Sequence, residues 1–137
     1  MSKRDDLATN MVGYLRENIK KVLIVKGDRP TDKKESPYIA VNCLKVIYGD
    51  MLNSSTYMNI NVHCRSNTDG TCDTKKLDTM TDAVLSLIPY DNGTEDGICD
   101  VEIDGDRFVV ESVSDPVEDT DGTYYTNIQV KVYFNAL

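Results

Sequence analysis

Leu7, Met11, Leu15 and Ile19 recur at intervals of four, with Ala8 and Val12 beside them, so the first segment predicts an amphipathic helix over about Arg4 to Lys21. Asp5 and Asp6 in its first turn and Lys20 and Lys21 in its last complement the helix dipole at both ends. Val22 to Val25 is a short apolar run that periodicity alone leaves open between a helix extension and a strand. After a charged loop over Lys26 to Pro37, the β-branched and aromatic content of Tyr38 to Tyr48 predicts a long strand. The cleanest period-two pattern comes next. Met58, Ile60, Val62 and Cys64 alternate with Tyr57, Asn59, Asn61, His63 and Arg65, which buries the first set and leaves the second on a polar face. Val62 is then buried and His63 a solvated or interface side chain, and His63→Ala is expected to change the stability of the isolated chain by no more than about 0.5 kcal/mol.

A polar turn over Ser66 to Thr71 follows, after which Asp73 or Thr74 can cap a second helix. Leu77, Met80, Val84, Leu87 and Ile88 give that helix its apolar face, and Pro89 ends it. Cys99, Val101 and Ile103 alternate with acidic residues. Arg107 to Val113 continues the strand pattern, which makes Asp104-Gly105-Asp106 a hairpin turn. In the last strand Ile128, Val130, Val132 and Phe134 alternate with Asn127, Gln129, Lys131 and Tyr133. The order helix, strands, helix, strands predicts an α+β domain, a mostly antiparallel sheet sandwich with two amphipathic helices packed on one face. At 137 residues the chain is read as one domain, spanning 1–137.

Composition narrows the function classes. The net charge is -8, with 23 acidic against 15 basic residues, which disfavours gripping nucleic acid on a broad basic face. No apolar stretch approaches the roughly 20 residues of a membrane-spanning helix, and the N-terminus has no secretory pattern, so a cytosolic origin is expected. The four cysteines, Cys43, Cys64, Cys72 and Cys99, are then expected to stay thiols, with Cys43 and Cys64 acting as small core residues.

The residues offer little chemistry. His63 is the single histidine, and its neighbour Cys64 points to the opposite sheet face, which excludes a thiol–imidazole pair between them. No CxxC spacing supports zinc, and the acidic Gly-containing turns around Asp69, Asp96 and Asp121 do not reproduce the twelve-residue calcium loop. A hydrolase would need carboxylates from separate loops, such as Asp69 and Asp96, to converge in one cleft, and no spacing supports that. No catalytic residue, cofactor or metal ligand is therefore assigned.

The stretch Tyr57-Met58-Asn59-Ile60-Asn61-Val62-His63-Cys64, a polar turn with Gly70 and the helix around Leu77 to Leu85 lie between an N-terminal helix and a final strand over Tyr124 to Val132. In this order of elements the chain resembles the tail-terminator, or tail-completion, proteins of tailed bacteriophages. The resemblance implies a structural virion protein without enzymatic activity, assembled in the host cytoplasm. It would form a homo-oligomeric ring at the head–tail junction, a hexamer or alternatively a dodecamer, joining tail tube and neck or connector proteins around a channel that DNA crosses without specific binding. Interface residues are then expected on the polar strand faces, at Asn59, Asn61, His63, Gln129 and Lys131. Others are expected in the acidic loops, at Glu95, Asp96, Glu118, Asp119 and Asp121. The alternative is a cytosolic ligand-binding or adaptor domain without catalysis, which would show a concave apolar pocket and remain monomeric.

Overall fold

The structure, a computed structural model, describes residues 3–27, 37–44, 53–89, 100–119 and 122–135. The chain has an α+β fold with the elements α1 (Lys3–Asn18), β1 (Leu23–Lys26), β2 (Tyr38–Cys43), β3 (Asn53–Arg65), α2 (Thr74–Leu85), β4 (Val101–Ile103), β5 (Asp106–Val113), β6 (Val117–Glu118) and β7 (Thr123–Asn135). All strands belong to one sheet in the order β1-β2-β3-β7-β5-β4, and β6 pairs with β7. Every pairing is antiparallel except β1 with β2. The sandwich is therefore one sheet against one helical layer.

The period-two pattern fixes which face meets the helices. Ile39 and Val41 of β2, Met58, Ile60 and Val62 of β3, and Ile128, Val130 and Val132 of β7 are buried in one cluster with Leu7, Met11 and Leu15 of α1 and Leu77 and Val84 of α2. Register and burial agree, because Ile60 pairs with both Val41 and Ile128, and all three are fully buried. In β5, Val110 pairs with Val130 and Ser112 with Gln129, so Glu111 is an extra residue, a β-bulge that keeps both Val110 and Val113 on the helix side. Asn10 of α1 donates to the Asp104 carboxylate in the β4–β5 turn at 3.3 Å, so the sheet curls until its last strand reaches the first helix.

Local chemistry explains the boundaries. α1 stops at Asn18, three residues short of the expected end, because Lys21 takes a left-handed φ of 68° and turns the chain into β1. Lys20 and Lys21 thus lie beyond the helix, and Val22 to Val25 resolves in favour of a strand. Asp73 caps α2 by accepting from the Lys76 backbone N–H. The Asp104-Gly105 turn has φ of 52° and 85°, both positive as a two-residue hairpin turn between Ile103 and Asp106 requires. The strand expected over Tyr38 to Tyr48 ends at Cys43, and residues 45–50 lie outside the described part.

The contact between α2 and the sheet includes one buried polar pair. The Thr81 hydroxyl donates to the Leu77 carbonyl at 2.8 Å, so its single proton is used, and the Thr126 hydroxyl 2.7 Å away is the donor between the two. Thr81→Val should cost about 1–3 kcal/mol because it strands the buried Thr126 donor. Thr126→Val leaves Thr81 satisfied and should cost about 1 kcal/mol or less. Urea denaturation of both single variants and the double variant checks this order. The double variant should be no worse than Thr81→Val alone.

Candidate functional site

With both helices on one side, the odd-numbered residues of β3 and β7 form the opposite, helix-free face of the sheet. Strand pairing arranges them in rows. Ala40, Asn61 and Asn127 form one row, Asn42, Asn59 and Gln129 the next, and Tyr57 pairs with Lys131 beyond them. Asn127 Nδ2 donates to Asn61 Oδ1 at 2.8 Å and to Asn59 Oδ1 at 3.1 Å, while its backbone N–H donates to Ser114 Oγ at 2.9 Å. Four expected interface residues, Asn59, Asn61, Gln129 and Lys131, therefore share this face, half-buried. Asn127 joins the two asparagines of β3 into one amide cluster. The period-two pattern places it on the polar side but does not show its bonds to the two asparagines of β3.

Next to the amides, Lys131 lies 5.3 Å from the Tyr133 ring and 5.7 Å from the Tyr57 ring, and the Arg107 guanidinium lies 5.7 Å from the Tyr133 ring. Partial burial works against the Lys131 ammonium. Tyr133, Tyr57 and Glu111 around it outweigh that and hold its pKa above the usual lysine value. Arg107 also approaches Asp100 at 3.6 Å. Tyrosine, arginine and lysine packed this way can hydrogen-bond and stack without exposing a broad apolar patch.

His63 departs from expectation. It lies on the helix-free face, as alternation requires, but is only 7% exposed rather than solvated. The cause is its row. Tyr38 of β2 and Tyr125 of β7 are its paired neighbours, and their rings stack on the imidazole at centroid distances of 4.3 Å and 5.2 Å. His63→Ala should therefore cost about 1–2 kcal/mol rather than stay near zero. Thermal melting of that variant, with the aromatic near-ultraviolet circular dichroism as a second readout, tests the stack.

The remaining expected site residues lie elsewhere. Glu118 pairs with Tyr124 across β6 and β7, and the Asp119 N–H donates to the Thr123 carbonyl at 2.8 Å, so both lie at one end of the sheet, away from the amide rows. Glu95, Asp96 and Asp121 lie outside the described residues. Asp69 accepts from the Thr71 hydroxyl at 2.6 Å and from its N–H at 3.1 Å, which holds its carboxyl below the usual range and explains it as a turn residue. Among the described residues no group of three or more His, Cys, Asp and Glu side chains is arranged to hold a metal ion.

Cys43, Cys64 and Cys72 are free thiols. Burial raises the Cys43 thiol to about 11 and also pushes Cys64 upward, so neither is poised as a nucleophile. An open cleft of about 520 Å³ lies between the start of α1 and the ends of β1 and β2. The Lys26–Asp5 ion pair, 2.8 Å long, is part of its lining.

No known family profile matches the chain, and no curated protein does. The whole chain does superpose on a solved structure, covering 97% of that chain, with a TM-score of 0.62 and 11% sequence identity. At that identity the likeness shows a shared fold and nothing further. Among the described residues no helix is long and apolar enough to cross a membrane.

Proposed function

We propose that this chain is a structural subunit of a tailed-bacteriophage head–tail junction, forming a ring that completes the tail and leaves a channel for DNA. The observation that carries this reading is the helix-free sheet face. Two central strands of 13 residues each present Asn59, Asn61, Asn127 and Gln129 there, flanked by Tyr57, Lys131, Tyr133 and Arg107. Side chains of this kind suit a protein that stays dissolved as a free subunit and later forms specific contacts, because they bind through hydrogen bonds and rings rather than through an apolar patch. The excess of acidic residues fits a channel or rim that DNA must pass without being held. The order of elements supports the same reading through its resemblance to tail-terminator proteins.

The edges of the sheet refine how such a ring would be joined. The long strands β3 and β7 are central, and the described edges, β1 and β4, have four and three residues. Contacts between subunits would thus run through side chains and loops more than through strand-to-strand pairing. Replacing 118–121 by a short glycine linker should leave a folded subunit that enters virions poorly, as quantified by immunoblotting of purified particles. Wild-type protein absent from those particles would overturn the proposal. A ligand-binding domain is the second reading, for which the cleft beside Arg4 and Lys26 is the specific support, and a monomer that binds a small molecule there would promote it.

A further inference from the structure

Lys and Arg concentrate in the sequence before Gly49, and Asp and Glu after it. Among the described strands, the early β1 and β2 and the late β5 and β4 end up at opposite ends of the strand order. At the β1 end, Lys20 and Lys21 are exposed in the connection from α1. At the β4 end, Glu102, Asp104, Asp115 and Glu118 are exposed along the margin made by β4, β5 and β6. Arg107 is the one cation in that stretch from Asp100 to Asp119, and it already lies 3.6 Å from Asp100.

Among the described residues neither edge is built to extend the sheet. Besides its shortness, β1 has its Ile24 carbonyl occupied by Arg16, which donates from Nη2 at 2.7 Å and from Nε at 3.1 Å. Among the described residues, charge is then the property that distinguishes the two margins. A two-fold contact of the acidic margin with itself would set like charges against each other, and so would a two-fold contact of the basic one. A head-to-tail contact sets opposite charges together. Head-to-tail contacts are the kind that close into rings when the rotation between neighbours allows it.

Building on the ring reading above, we propose that neighbouring copies of this chain join head to tail, the Lys20–Lys21 margin of one against the Asp115–Glu118 margin of the next. Charge complementarity of this sort chiefly sets partner orientation and association rate, and it weakens with salt, since screening acts over about 10 Å at 0.1 M. Individual exposed ion pairs contribute little, so the test reverses two charges at once.

Two double variants of the full chain serve: Lys20→Glu with Lys21→Glu, and Asp115→Lys with Glu118→Lys. Circular dichroism and thermal melting first confirm that each is folded, and multi-angle light scattering then gives the mass of each alone and of an equimolar mixture. The wild-type protein should give a ring mass at 0.1 M salt and lose part of it at 1 M. Each variant alone should lose the ring species, because its two margins now carry the same sign. The mixture should recover it by alternating the two. Variants that assemble as well as the wild type, or a mixture that fails to recover, would overturn the head-to-tail assignment while a wild-type ring still upheld the ring reading. A wild-type chain that is monomeric at every concentration tested would overturn both.

Discussion

Val62→Asp should abolish cooperative folding, or lower the free energy of unfolding by at least about 4 kcal/mol, the largest effect expected of any single substitution on the helix-facing side of β3. Val62 is fully buried in a central strand, paired with Ile39 on one side and Thr126 on the other, and packed in the cluster under both helices. A carboxylate there loses its hydration and gains no cation, since the described neighbours on that face are apolar side chains and the Thr81–Thr126 pair. A domain of this size has about 5–15 kcal/mol of stability in all, so little folded protein would remain at neutral pH. The protonated carboxyl costs less to bury, which places the folded-state pKa of the new Asp above its unfolded value of about 4. Its deficit relative to the wild type should therefore be smallest below about pH 4 and grow as pH rises through the raised folded pKa. Urea denaturation monitored by far-ultraviolet circular dichroism at several pH values checks both the size and the sign. Equal deficits for Val62→Asp and His63→Ala would show that the register of β3 is wrong.

Phe108→Ala should cost about 3–5 kcal/mol. Phe108 is among the largest of the fully buried side chains, and it pairs with Val132 on one side and Val101 on the other. It therefore ties the short edge strand β4 to β7 through β5. Truncation leaves a cavity that these neighbours can only partly fill, because the bulge at Glu111 and the hydrogen bond from the Val110 N–H to the Pro89 carbonyl at 2.8 Å fix β5 in place. The urea midpoint should fall with an unchanged slope, as it does when stability changes and the surface exposed on unfolding does not. Phe108→Leu, which fills most of the same volume, should cost about 1.5 kcal/mol or less.

The sequence was most informative where a single periodicity ran long. Alternation over Tyr57 to Arg65 and over Asn127 to Tyr133 identified the two central strands and their buried faces, and the fourfold spacing of Leu7, Met11 and Leu15 identified the helix above them. Turn chemistry was equally legible, since Asp104-Gly105 makes its hairpin and Asp73 its cap. Long-range pairing was less so. Nothing in Leu23-Ile24-Val25-Lys26 announces a parallel partner, and the burial of His63 depends on two tyrosines 25 residues before it and 62 after it, which only the register β2-β3-β7 brings together. The amide cluster has the same origin. Asn59, Asn61 and Asn127 were each readable as polar-face residues, but their mutual hydrogen bonds come from the pairing of β3 with β7. The exposed Lys20 and Lys21 beside β1 and the exposed acidic residues beside β4 and β6 are likewise invisible to a count of net charge.

The oligomeric state of the purified chain tests the ring reading most directly. Native mass spectrometry combined with negative-stain imaging measures it in one preparation. The expected result is a closed ring of identical subunits with an open centre, at a mass of six copies of the 15.4 kDa chain or twice that number. A strictly monomeric species at every concentration would contradict it.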